Sequence, residues 1–286
     1  MNKLMEARAR INEIDSRMAA LFTQRWEAVR DIAKYKMERG IPILDQGRER
    51  EILEKNSALI PTEDIRASYI SFMQHELDLS KQFQHMLMEG MNVAYSGDPG
   101  AFADIAAERI FADARHVGFQ DYTTAYNAVV NGDCDCTLLP IKNSVTGVTG
   151  QVIDLLFSGN LFINGMYVMS EDPSISGSSA GATKFAVLSR IENLNSDKRG
   201  IFILMFTVPD AAGSLAKAIS VISDHGYNMK VLRAHALKSL DWQDCFYVEA
   251  EGDETTENGR KMLEELAELC AKMKVVGHYQ DRKSVV

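Results

Sequence analysis

Eight side chains within the first 84 positions are of types that can hold an anionic small molecule: Arg8, Arg25, Lys36, Asp45, Arg48, Glu49, Ser80 and Gln84. Arginine binds carboxylates through paired N–H donors, and lysine supplies a compact point charge. On a helix, Arg25 and Lys36 fall about 20° apart around the axis and about 16 Å apart along it. They share a face, so their long side chains can converge on an anion between them. Arg8 lies about 25 Å from Arg25 and about 100° round, too far to reach the same pocket within one chain. In an antiparallel pair of chains it can reach the partner's pocket. Ser80 and Gln84 are four residues apart and face one site from another helix. The competing reading is a solvated helix face held by salt bridges, the usual fate of charge runs.

The elements that must position these residues are helical. From Lys3 to Arg39 there is neither Gly nor Pro, and Ile11, Ile14, Met18, Leu21, Phe22, Trp26, Val29, Ile32 and Ala33 recur at three/four spacing. The spacing predicts one helix of roughly 35 residues, about 55 Å long. A helix of that length cannot bury its apolar face inside a 90-residue monomer, so two copies are expected to pack along each other. A second helix is expected over Gln46–Asn56, with Asp45, Arg48 and Glu49 at its start, and a third from near Thr62 to about Glu89.

Composition narrows the class. The 286 residues are 46% hydrophobic and 25% charged, which describes a globular chain and excludes wholesale disorder. Net charge is −9, yet eight Arg and three Lys fall between Asn2 and Arg50. That local basic stretch suits an anionic ligand, whereas a nucleic-acid protein carries a broader basic footprint. No apolar run approaches the roughly 18 residues of a membrane span, and the charged N-terminus does not read as a secretory signal. Cys134 and Cys136 form a C-x-C with no second pair at zinc spacing, so reduced thiols, no metal and a cytoplasmic location are expected.

Beyond Asn92 the pattern changes. Val93–Tyr95, Cys136–Leu139 and Leu161–Val168 read as strands; Phe102–Phe111, Thr123–Val130 and Val148–Phe157 read as helices. That alternation suggests βαβ units up to about Arg190. Ser170–Gly181 is rich in Ser and Gly and reads as a flexible connection. From Gly200 to Tyr279 the order is strand, helix, two strands, helix, strand, the split βαβ or ferredoxin-like arrangement. The helix is expected over Asn258–Lys272 and the last strand over Val275–Tyr279, with a frayed tail after it.

Residues 1–90 resemble the all-helical class of chorismate mutase. Arg8 in EARARI matches the family's first-helix arginine, which binds a substrate carboxylate across a dimer, and Arg25 matches the second carboxylate-binding arginine. Lys36 in KYK matches the lysine on the ether oxygen. Asp45, Arg48 and Glu49 in LDQGRERE match D-x-x-R-E, whose Glu contacts the substrate hydroxyl. Ser80 and Gln84 in LSKQFQ match S-x-x-x-Q, whose Gln shares the ether oxygen. The resemblance implies chorismate as substrate, no cofactor, and a homodimer built on the long N-terminal helix.

Residues 91–190 are similar to the first lobe of prephenate dehydratase, through NVAYSGDPGAFADIAAERIF, AVVNGDCD and LLPIKNSVTGVTGQVIDLL. The resemblance implies a site at Gly97, Gly100, Asn143, Ser144, Thr183 and Lys184. The sequence departs from the family at Lys142, where PIENS reads PIKNS, and at Lys184, where T-R-F reads T-K-F. It also runs from Val168 to Thr183 with little room for a second lobe. Residues 199–280 resemble the ACT regulatory domain, through VPDAAGSLAKAISVISDHGYNM and DCFYVEAEGD, which implies an effector site at Gly213, Ser214, Leu215 and Asn228. There the family's E-S-R-P reads Arg233–Ala234–His235–Ala236. The expected architecture is therefore multidomain: a three-helix all-α domain, a partial α/β lobe and an α+β ACT-like domain. The expected function is a chorismate mutase with the dehydratase reaction lost, its prephenate consumed by a separate dehydratase or dehydrogenase. A working bifunctional mutase–dehydratase with phenylalanine feedback is the alternative enzyme, and a non-catalytic amino-acid sensor the alternative of another class.

Overall fold

The computed structural model describes residues 3–88, 90–170, 181–193, 200–237 and 244–280. Most of the Ser/Gly connection and the tail after Gln280 lie outside the described residues. The chain forms two compact units, residues 1–37 with 42–90, and residues 38–41 with 91–286.

The first unit consists of α1 (Lys3–Arg39), α2 (Gln46–Ala58) and α3 (Glu63–Met88). All three expected helices form. Asp45 caps α2, its side chain accepting from the Arg48 N–H at 2.9 Å. Trp26 packs edge-on against Phe83 of α3, ring centres 4.7 Å apart, and Val29 and Ala33 are buried. The N-terminal apolar stripe of α1 is not covered in the single chain: Leu4, Ile11, Ile14, Met18, Leu21 and Phe22 are all exposed.

The second unit is built on one ten-stranded sheet. Its strands are β1 (Asn92–Ser96), β2 (Arg115–Phe119), β3 (Cys136–Asn143), β4 (Gly147–Val148), β5 (Phe162–Ser170), β6 (Ala182–Ser189), β7 (Ile201–Thr207), β8 (Asn228–Ala236), β9 (Asp244–Glu251) and β10 (Lys272–Tyr279). The helices are α4 (Phe102–Ile110), α5 (Tyr122–Asn131), α6 (Gly150–Ser158), α7 (Ser214–Asp224) and α8 (Glu257–Leu269). The order is β2-β1-β3-β6-β5-β10-β7-β9-β8, with β4 on β3. The parallel β2-β1-β3 set is the expected βαβ part, and β10-β7-β9-β8 is the ferredoxin-like part.

These two parts, expected as separate domains, share the sheet through a parallel contact of β5 with β10 at Ile163 and Gly277. Gly277 has φ +146°, and a Cβ there would lie 2.2 Å from the Ile163 carbonyl oxygen, so only glycine allows this approach. β7 is buried along its whole length, with Phe202, Leu204 and Phe206 in one apolar cluster and Ile201, Ile203 and Met205 in the other. A strand covered on both faces reads as a continuous apolar run, as IFILMF does. Three strands were not anticipated. β2 reads RHVGF, too polar to signal a strand; β4 has two residues; β6 follows the Ser/Gly segment. The last helix also stops at Leu269, and Lys272 already belongs to β10.

Candidate active site

In the first unit, α3 presents Glu76, Ser80 and Gln84 on one face, one helical turn apart, and all three are buried (5–7% exposed). Arg25 of α1 meets this stripe. Its Nη1 donates to Glu76 Oε1 and to Ser80 Oγ, the latter at 2.6 Å. The Ser80 hydroxyl donates to the Glu76 carbonyl at 2.9 Å. Burial raises the Glu76 pKa above the usual carboxylate value and outweighs the opposing pull of Arg25.

Two buried atoms along the stripe, Glu76 Oε2 and Gln84 Oε1, have no hydrogen-bond partner among the described residues. Leaving a polar atom buried without one costs on the order of 1–3 kcal/mol. Both are acceptors, so only a hydrogen-bond donor can satisfy them. Gln84 Nε2 reaches only the Ser80 carbonyl, at 3.4 Å.

Lys36 donates to the Ile43 carbonyl at 2.6 Å, which holds its ammonium near the loop that leads into α2. Glu49, in the first turn of α2, pairs with Lys81 of α3 at 3.0 Å, and Lys81 also bridges to Asp78 at 2.9 Å. Its hydrogen bonds to the Asp78 and Glu49 carboxylates raise the Lys81 pKa. Arg48 is exposed and pairs with Glu51 at 2.7 Å. Arg8 lies exposed on α1, away from the contacts that Arg25 makes. Arg25 thus meets Ser80, a contact the spacing did not specify, while Lys36 reaches the Ile43 carbonyl and Arg8 does not join Arg25 within one chain. Glu76 and Lys81 were missed. The signal for Glu76 was present, because it precedes Ser80 and Gln84 by four and eight residues on the same helix face.

In the second unit the predicted residues are engaged differently. Asn143 Nδ2 donates to Thr183 Oγ1 at 2.8 Å, and its Oδ1 accepts from the N–H groups of Val145 and Thr146. Ser144 pairs through its backbone and hydroxyl with Ala182. Lys184, next to Thr183, points to the opposite face of β6. Its Nζ lies 3.0 Å from Glu249 Oε2 and 3.1 Å from the Tyr279 hydroxyl. Burial pushes the Glu249 carboxyl up, but Lys184 and the hydroxyls of Tyr279 and Tyr247 outweigh it and hold the pKa below the ordinary range.

Gly97 and Gly100 have φ +122° and +83°, and the Gly100 N–H donates to the Asp104 carboxylate at 2.8 Å. At the expected effector positions, Gly213 begins α7 with φ +84°, Leu215 packs on the apolar cluster of that part, and Asn228 donates to Glu251 at 2.7 Å. His235 pairs with Asp154 of α6 at 3.0 Å. Among the described residues no group of three or more His, Cys, Asp or Glu is arranged to hold a metal ion, and no helix is long and apolar enough to cross a membrane.

Comparison with known proteins locates both parts of the sequence. The chorismate mutase type II family matches residues 7–85, and the prephenate dehydratase family residues 93–180. The bifunctional chorismate mutase/prephenate dehydratase of Escherichia coli (strain K12) is 22% identical, over 99% of this chain and 98% of its own length. That alignment spans 377 positions against 286 residues here, so at least 91 positions (377 − 286) have no counterpart in this chain. Among solved structures, GqqA, described as a novel type of quorum quenching acylase, is 23% identical with a TM-score of 0.57, over 67% of this chain and 95% of its own. The prephenate dehydratase of Streptococcus mutans is 22% identical with a TM-score of 0.55, over 66% and 97%. Two different activities on one fold restrict that likeness to the fold. A segment matching the type II chorismate mutases is thus followed by one matching the prephenate dehydratases, and the chain aligns from end to end with bifunctional chorismate mutase/prephenate dehydratases.

Proposed function

We propose that the chain is a chorismate mutase that rearranges chorismate to prephenate, in the supply of phenylalanine and tyrosine, and that it no longer dehydrates prephenate. The observation that carries this reading is Arg25 held against the buried stripe Glu76–Ser80–Gln84, inside the segment that matches the type II mutases. The mutase domain is residues 1–90, followed by a dehydratase-like lobe over 91–190 and an ACT-like part over 199–280.

The reaction is unimolecular: a carbon–oxygen bond breaks as a carbon–carbon bond forms. It requires no nucleophile, no proton transfer and no cofactor. What accelerates it is confinement of the dicarboxylate in its compact reactive conformer, together with donors aimed at charge developing on the ether oxygen. Arg25 and Arg8 of the partner subunit take the two carboxylates. Lys36 and Gln84 donate to the ether oxygen, and Glu49 receives the substrate hydroxyl. Asp45 and Arg48 shape the start of α2, and Ser80 holds Arg25. Gln84 is neutral at every pH, so its donor persists at neutral pH. The uncovered apolar stripe of α1 supports a homodimer along that helix, the arrangement Arg8 requires.

Loss of the dehydratase reaction rests on the aligned positions this chain lacks and on Lys184, which is committed to Glu249 rather than turned towards Thr183. A cleft enzyme without its second wall cannot exclude water from its substrate. Prephenate then passes to a separate dehydratase or dehydrogenase. The second reading, a working bifunctional enzyme, is favoured by the Asn143–Thr183 contact, which keeps two of the matching residues together.

An NMR time course with chorismate at neutral pH separates these readings. Prephenate as sole enzymatic product is the expected result. Phenylpyruvate formed faster than the spontaneous background establishes the bifunctional reading. Unchanged chorismate removes both and leaves a sensor.

A further inference from the structure

The strongest unexplained feature of the first unit is Glu76, a carboxylate 5% exposed that pairs with Arg25. A guanidinium has five N–H donors in a rigid plane, two of them on Nη1. Both Nη1 hydrogens are committed here, one to Glu76 Oε1 and one to Ser80 Oγ. With that corner pinned, the group cannot rotate in its plane. The Nη2 and Nε edge is left, and the arginine side chain keeps 34% of its exposure. That edge is the one on which a carboxylate docks through two parallel hydrogen bonds.

We propose that Glu76 is a positioning residue for substrate binding: by holding Nη1 of Arg25 from the α3 side, it presents the remaining guanidinium edge to one carboxylate of the substrate. This rests on the mutase reading above. Fold stability is a poor explanation for such a residue. A buried charge pair replaced by apolar groups of similar size is often neutral or stabilising, and here Glu76 Oε2 has no partner among the described residues.

The test compares wild type with Glu76→Leu and Glu76→Gln, measuring kcat and KM for chorismate and the thermal midpoint. Wild type must first convert chorismate; a chain inert towards it removes the mutase reading and this role together. With an active wild type, Glu76→Leu is expected to raise KM by roughly tenfold, the scale of one charge-assisted hydrogen bond, and to change kcat less. Glu76→Gln retains an acceptor and is expected to recover most of that loss. Combined with Arg25→Ala, Glu76→Leu should add nothing further. A KM within twofold of wild type in Glu76→Leu overturns the role while leaving the mutase reading intact. A lower KM overturns it as well, because Glu76 then competes with substrate for Arg25. If Glu76→Leu does not fold, the Gln variant decides: a KM raised as far as that of Arg25→Ala shows that an acceptor at this position is not enough, and overturns the role.

Discussion

The α3 stripe of the first unit and the strand β6 of the second carry residues from matching family motifs, but they treat their polar groups in opposite ways. Along α3, Gln84 and Glu76 keep buried oxygen atoms without partners. Around β6, Lys184 is met by Glu249 and Tyr279, and Asn143 by Thr183. The same holds at Gly100, whose N–H goes to Asp104, and at Asn228, which goes to Glu251. A polar group already paired within the chain must exchange that partner before it serves a ligand, as Lys36 would exchange the Ile43 carbonyl. A buried group without one has free energy to gain from binding. Among the described residues, the two segments thus differ in whether oxygen atoms buried beside the family-motif residues are left without a partner.

The largest expected effect lies in the first unit. Lys36→Ala should lower kcat/KM for chorismate roughly a thousandfold, the scale for removing a donor to developing charge, with the thermal midpoint unchanged. Near-normal turnover would remove Lys36 from the site. Mixing Lys36→Ala with Arg8→Ala should restore up to about a quarter of the sites in a two-fold dimer. No recovery after demonstrated subunit exchange would mean that each chain completes its own site.

In the second unit the expected effects fall on stability. Lys184→Met leaves Glu249 buried without its cation and should destabilise the unit by on the order of 3 kcal/mol, while the double variant Lys184→Met/Glu249→Met recovers most of it. Calorimetry on the full chain reads both, and mutase turnover should not move. A single variant as stable as wild type would show that the pair is no brace.

The smallest contrast is in pH dependence. The depressed pKa of Glu249 contributes stability that is present above the unfolded carboxyl value and lost as pH falls through the lower folded value. Glu76 has the opposite sign. Its raised pKa is a cost at neutral pH that is relieved as pH falls through the folded value towards the unfolded one. Acidification should therefore narrow the stability gap between wild type and Glu76→Gln, and widen the loss at Glu249. Parallel pH curves for wild type and Glu76→Gln would show that Glu76 titrates normally.

The three N-terminal helices were legible from sequence because helical periodicity is local, and the candidate site residues were named by the motifs that resemble the mutases. Arg25 and Ser80 declare their faces through residues three and four positions away, and Asp45 through its place before α2. Strand β2 was not legible, since Arg115–Phe119 becomes a strand only by pairing with β1. The union of β5 with β10 was equally hidden, because it turns on Gly277 lying against Ile163, more than a hundred residues away.

By itself the sequence determined which residue types line each helix face, the family likeness of the first two segments and the order of strands and helices in the C-terminal part. Only the tertiary structure decided that Glu76 grips Arg25, that Lys184 turns from Thr183 to Glu249, and that two expected domains share one sheet. The physical reason is range. Periodicity and capping are settled within a few residues, whereas the partner of a buried charge is settled by which distant strand or helix the fold brings beside it.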